Sequence, residues 1–149
     1  MELRKELFDL CCAYAEARIR VALEAMQQAQ QAANAEEKST AGDKYETGRA
    51  MAHLEKEKAA AQLFEANKLN EVLHKINPEV VTAKTVLGSV IITDKGNYYL
   101  AISAGKLQVQ GKEFIVLSAA SPLGAQLINR GAGDKVTFQG KTLSIISVL

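Results

Sequence analysis

Glycine is spread so unevenly along this chain that one uniform architecture is excluded. Two glycines, Gly42 and Gly48, precede Asn77-Pro78, and eight follow. Glycine in a helix interior costs about 1 kcal/mol relative to alanine, and it is the default residue where the backbone must turn sharply. The first half is therefore free to run as long helices, and the second must turn often. Residue choice agrees: Ala, Glu, Gln and Lys dominate before residue 78, and Val, Ile and Thr after it. Charge changes at the same point, from 13 acidic and 11 basic residues to 4 acidic and 7 basic. We expect an α+β protein, with a helical unit over 1–77 and a globular, strand-rich unit over 78–149.

Two helical segments are expected in the first half. In one, Leu3, Leu7, Leu10, Tyr14, Ala17 and Val21 alternate in steps of four and three, the spacing of a heptad seam. In the other, from about Thr47 to Ile76, the residues Met51, Leu54, Ala61, Phe64, Leu69, Val72 and Ile76 approximate one apolar stripe. A polar break at Ser39-Thr40-Ala41-Gly42 separates them. Neither stripe can bury itself alone, and a short break favours antiparallel neighbours. The expectation is an antiparallel coiled-coil hairpin, each arm roughly 50 Å long at about 1.5 Å per residue. Packing should be tightest where Leu3, Leu7 and Leu10 meet Leu69, Val72 and Ile76, and dilute toward Gln27, Gln28, Gln30 and Gln31.

The second half predicts strands near 86–93, 98–103, 107–110 and 114–117, a short helix over 122–129, and strands near 135–139 and 142–148. Ser121-Pro122 has the chemistry of a helix start, with serine as cap and proline in the first turn. Asp94-Lys95-Gly96-Asn97, Gln110-Gly111 and Gln139-Gly140 read as hairpin turns. This describes a small, mostly antiparallel sheet with one helix.

Composition narrows the function classes. A formal net charge of +1 argues against a protein that grips nucleic acid mainly through its phosphates. The charged start Glu2-Leu3-Arg4-Lys5-Glu6 does not resemble a secretory signal, and no apolar run approaches the roughly 20 residues of a membrane helix. Cys11 and Cys12, adjacent in a helical segment, cannot form a disulfide framework, so a cytoplasmic setting is expected. His53 and His74 have no second ligand at metal spacing. The runs Glu36-Glu37-Lys38 and Glu55-Lys56-Glu57-Lys58 read as solvated helix faces.

The break between the helical segments carries the candidate chemistry: Thr40-Ala41-Gly42-Asp43-Lys44-Tyr45-Glu46-Thr47. Asp-x-x-Glu ahead of a helix is also a capping-box pattern, with Asp43 as cap and Glu46 reaching back. Read with the rest of the chain, the segment resembles the tip of the Gre transcript-cleavage factors, where a Gly-Asp pair is followed by Glu three residues after the Asp. Gly88-Ser89-Val90 is similar to that family's entry into its globular domain. Ser121-Pro122-Leu123-Gly124, Leu127 and Gly133-Asp134-Lys135-Val136 resemble its late Ser-Pro helix and the turn before its final strands. The resemblance spans nearly the whole chain, and order and spacing carry it more than any single motif. The chain departs from the family pattern at Thr47-Gly48-Arg49, at Asn129-Arg130-Gly131 and between Val90 and Ser121.

The resemblance implies an FK506-binding-protein-like globular domain and a finger that enters the secondary channel of bacterial RNA polymerase when RNA has backtracked. It further implies metal-assisted hydrolysis by the polymerase. Two-metal phosphodiester cleavage needs one ion to activate water and another to stabilise the leaving oxygen. Magnesium is a hard cation that keeps several waters and accepts one or two carboxylates. Asp43 and Glu46 would complete a weakly held second magnesium site, making the chain a cofactor in trans and not itself an enzyme. Lys44, Tyr45 and Arg49 are the expected contacts to polymerase or the RNA 3′ end, Tyr45 by stacking on a base. No cofactor of the free protein, no membrane and no sequence-specific DNA partner is expected. Rival readings are a non-cleaving regulator of the same channel, a structural coiled-coil adaptor, and a prolyl isomerase or chaperone. The last is opposed by the lack of a clustered aromatic pocket.

Overall fold

The computed structural model describes residues 2–37 and 42–149, with side chains over 2–35 and 47–149. Two long helices come first, α1 (Glu2–Glu37) and α2 (Gly42–His74). Strands β1 (Val90–Thr93), β2 (Gly96–Ala101), β3 (Gly105–Val109) and β4 (Lys112–Ser118) follow, then helix α3 (Pro122–Leu127), β5 (Lys135–Phe138) and β6 (Lys141–Val148). The fold is α+β: a long helical region, then a six-stranded mixed sheet with one short helix. Compactness divides the chain into one unit of Met1–Tyr14 with Glu71–Leu149 and another of Ala15–Asn70.

In the Ala15–Asn70 unit, one face of each helix is buried at every seventh residue. Along α1 the buried positions are Ala15, Ala22 and Ala29, with Ile19, Met26 and Ala33 half-buried between them. Along α2 they are Ala52, Ala59 and Ala66, with Leu63 half-buried. This corrects the seams read from the sequence. Ala17, Val21, Met51, Leu54, Ala61 and Phe64 are all exposed, Leu54 and Phe64 at 62% each. At about 100° per residue, Leu54 and Phe64 lie roughly 120–160° around α2 from the three buried alanines. The heptad period expected of the first helix holds with its phase shifted, and in the second the stripe of large residues is not the buried one. Large side chains were taken to mark the buried face, but alanine occludes least and lets another backbone approach closest.

In the other unit the sheet order is β3-β4-β2-β1-β6-β5. All neighbours are antiparallel except β2 and β4, which run parallel with Tyr99 opposite Val116. Each expected hairpin is present. Thr93 pairs with Gly96, Val109 with Lys112 across Gln110-Gly111, and Phe138 with Lys141 across Gln139-Gly140. Ile91, Tyr98, Leu100, Leu117, Val136, Leu143 and Ile145 bury one sheet face under Leu127 of α3. Ser121 caps α3 by accepting from the Gly124 amide at 3.1 Å, with Pro122 in the first turn, as the sequence implied. A side chain at Gly124 would overlap the Ser118 carbonyl, so glycine permits α3 to sit down on the end of β4.

The opposite sheet face, with Val90, Tyr99, Phe114 and Val116, meets the helix ends that belong to this unit. Leu7, Cys11, Leu73 and Ile76 are buried there, while Leu10 is 40% exposed and Leu3, Leu69 and Val72 are half-buried. Of the expected base, Leu7 and Ile76 are thus buried, and Leu10 gives its place to Cys11. Gly88, at φ +93°, lies so close to Ile76 that an added Cβ would meet Cγ2 at 2.7 Å.

Candidate functional site

The backbone is helical from Gly42 onward, so Asp43, Lys44, Tyr45 and Glu46 lie in the first turns of α2 and not ahead of it as the sequence suggested. Positions 43 and 46 are separated by i, i+3, a spacing that puts two helical residues on one face with Cβ atoms about 5–6 Å apart. The side chains of Asp43, Lys44, Tyr45 and Glu46 lie outside the described residues. Arg49, one turn further along α2, is exposed. Among the described residues no group of three or more His, Cys, Asp or Glu side chains is arranged to hold a metal ion. His53 is engaged in an exposed contact with Glu57 at 3.1 Å, and His74 is exposed in the last turn of α2. Burial, with a smaller push from Cys12, raises the Cys11 thiol to about 12, so it is a protonated packing residue at neutral pH.

On the globular unit the loops are fixed by hydrogen bonds between residues more than 40 positions apart, which no local pattern announces. Thr85, fully enclosed, ties the chain entering the sheet to the end of α3. Its hydroxyl donates to Leu127 O at 2.5 Å and accepts from Arg130 N at 2.8 Å. Its own N–H donates to Arg130 O at 2.7 Å and its carbonyl accepts from Asn129 N at 2.9 Å. Arg130 also donates from Nε to Gln126 O, and Lys84 bridges to Gly131. Asp134 Oδ2 accepts from Gly131 N at 2.8 Å. Asn129-Arg130-Gly131 is therefore the receptor for Thr85 and shapes one basic, loop-built surface that carries Lys84 and Arg130.

No protein-family model, curated protein or solved structure matches this chain.

Exposed apolar residues border the same loops. Val86 and Leu149 flank the entry to β1, where Ser89 N donates to Val86 O and Val90 exchanges two hydrogen bonds with Leu149. Ile128, between Leu127 and Asn129, is also exposed. Apolar side chains beside Lys84 and Arg130 have the composition of a protein-docking surface more than of a nucleic-acid groove. Arg4 is a further residue that sequence reading passed over. It stands among the charges of the first turn of α1 with nothing to mark it, yet it is 2% exposed and binds Gly88. Among the described residues no helix is long and apolar enough to cross a membrane.

Proposed function

We propose that this chain is a Gre-type transcription elongation factor, bound to bacterial RNA polymerase through the secondary channel and stimulating cleavage of backtracked RNA. The observation that carries the reading is the place of Asp43 and Glu46: an i, i+3 acidic pair at the start of α2, where two helices of 36 and 33 residues succeed one another. In this reading the seven-residue alanine repeats of α1 and α2 face each other as an antiparallel coiled-coil hairpin. Small side chains would keep that finger narrow. The sheet with α3 on one face would be the FK506-binding-protein-like domain, and its Lys84–Arg130 surface would hold the polymerase.

The chemistry follows from the two carboxylates. The polymerase supplies the nuclease centre, and the second magnesium of a two-metal cleavage would be held partly by Asp43 and Glu46. Lys44, Tyr45 and Arg49 would meet the RNA 3′ end or the channel wall. The test is cleavage of 3′-labelled RNA in a stalled, backtracked complex from the same organism, with polymerase binding measured in parallel. Asp43→Asn with Glu46→Gln removes anionic oxygens and keeps side-chain size. Stimulated cleavage should fall about 10²–10³-fold while binding persists, with partial recovery at raised magnesium. Unchanged cleavage in the double variant ends the catalytic reading, and no stimulation by the unaltered protein favours the non-cleaving regulator.

A second reading, the structural adaptor, draws on Met51, Leu54 and Phe64, three large apolar residues exposed along α2. An adaptor would keep its partner when Asp43 and Glu46 are neutralised and lose it when Leu54 and Phe64 become polar.

A further inference from the structure

The side of α2 turned away from its buried alanines carries large apolar residues, and the repeat of those alanines fixes where they stand. Counted in sevens from Ala52, Ala59 and Ala66, positions 43 and 64 are equivalent, and so are positions 54 and 61. At about 100° per residue all four lie on the side opposite the alanines, and position 46 falls there too. The helix is continuous from Gly42 to His74, so this phase carries from the candidate acids through to Phe64. At about 1.5 Å per residue, Leu54 stands about 16 Å and Phe64 about 32 Å along α2 from position 43.

A surface leucine or phenylalanine standing alone is ordinary. These residues share one side of one helix, and Met51, Leu54 and Phe64 are each 62% exposed. What separates Leu54 from Phe64 on that side is small or already engaged. Ala50 and Ala61 are exposed alanines, and Glu57 is in contact with His53 at 3.1 Å. Lys68 lies against the Phe64 ring, 4.5 Å from its centroid, and its ammonium donates to Glu65 at 3.3 Å. A neighbouring surface can therefore come close at the alanines and bury both large side chains.

We propose that this side of α2 is a docking surface, with Leu54 and Phe64 as its apolar contacts, for the same protein that receives Asp43 and Glu46. The inference rests on the reading given above, in which that protein is the polymerase, and it adds the chemistry of the channel wall. The wall carries an apolar patch roughly 15–30 Å from the place the acids reach. Phase and length select this occupant: a body that closes around the acids and extends down the same side of the helix meets both residues. The apolar contacts set how tightly the helix is held, and the carboxylates set how fast the bound complex cleaves.

The test separates affinity from rate in the full chain. Leu54→Gln with Phe64→Gln removes the apolar contacts at exposed positions and keeps a good helix former at each, so thermal melts should match the unaltered protein. Binding to a stalled, backtracked complex is measured by competition, and cleavage of its 3′-labelled RNA is followed as protein is added. Binding should weaken about tenfold or more, with cleavage lost at limiting protein and recovered in excess. Ala61→Glu, which sets a charge between the two contacts and removes neither, should weaken binding in the same way. Asp43→Asn with Glu46→Gln should lose cleavage that excess protein does not restore. Undiminished binding by both the glutamine double variant and Ala61→Glu, while the acid variant loses cleavage, overturns the docking surface and leaves the reading of the acids standing. No binding by the unaltered protein overturns both. Sedimentation of the unaltered chain as a dimer that the glutamine double variant dissociates also overturns it, because a second copy then covers this side of α2.

Discussion

Replacing Thr85 tests whether a single hydroxyl secures the end of α3. Valine matches threonine in shape, so Thr85→Val removes Oγ1 and changes little else. Two bonds are lost, to Leu127 O at 2.5 Å and from Arg130 N at 2.8 Å. The two backbone bonds of residue 85, with Arg130 and Asn129, do not depend on the side chain. A buried polar group left without its partner costs about 1–3 kcal/mol, and the site is 1% exposed, so water cannot substitute. Arg130 N is only partly buried, which trims its share, and the added methyl returns under about 1 kcal/mol. The net loss should be about 2–3 kcal/mol. Thr85→Ser keeps both bonds and forfeits one buried methyl, about 1 kcal/mol. Urea unfolding of the two variants beside the unaltered protein measures the order directly. If valine is tolerated better than serine, the hydroxyl is not what holds α3, and packing of the methyl is.

In the helical unit, Ala59→Leu should destabilise by about 1–3 kcal/mol through overpacking, whereas Leu54→Ala should stay within about 0.5 kcal/mol because its side chain is exposed; equal losses in thermal melts would restore the seam of large residues. Phe64→Ala should add only the exposed contact with Lys68, whose Nζ lies 4.5 Å from the ring centroid, worth about 0.5–1 kcal/mol in a double-mutant cycle. Gly88→Ala should cost about 2–4 kcal/mol, combining a positive φ with the approach to Ile76, and Ile76→Ala in the same chain should cost less than the two changes added separately. Gln139 has φ +51° in a two-residue hairpin loop, where asparagine is preferred, so Gln139→Asn should stabilise by about 0.5–1 kcal/mol in a melt. Gln110, at φ 53° in the matching turn, should gain less, because its Nε2 donates to Glu6 Oε1 at 3.2 Å and asparagine is too short to keep that bond.

Much of the fold was legible locally, and particular residues show why. Gln110-Gly111 and Gln139-Gly140 put left-handed conformers into two consecutive positions, a demand few sequences can meet, so the hairpins follow from the dipeptides. Ser121-Pro122 begins a helix because the serine oxygen reaches an N–H three residues on, within one turn of chain. The parallel neighbours β2 and β4 were not legible. Nothing in Gly96–Ala101 or Lys112–Ser118 states that β3 will pair outward and leave β4 to come back beside β2. The candidate acids, Asp43 and Glu46, were found from their pattern and from the family it resembles. Their side chains lie outside the described residues, so their case continues to rest on that pattern and on a helical backbone.

By itself, then, the sequence determined what is short-ranged: the change from helix to sheet near residue 78, the hairpins, the cap of α3 and the heptad period of the first long helix. Each depends on residues within a turn or a strand of one another. Which phase of the heptad is buried was decided by packing, because Ala52, Ala59 and Ala66 are buried while the larger Leu54 and Phe64 are not. The same holds for the polar interior. Arg4 meets Gly88 across 84 residues and Thr85 meets Leu127 across 42. No local pattern distinguishes those two side chains from the charged and hydroxyl residues around them. Only closure of the chain removes water from them, and the loss of water is what makes each bond count.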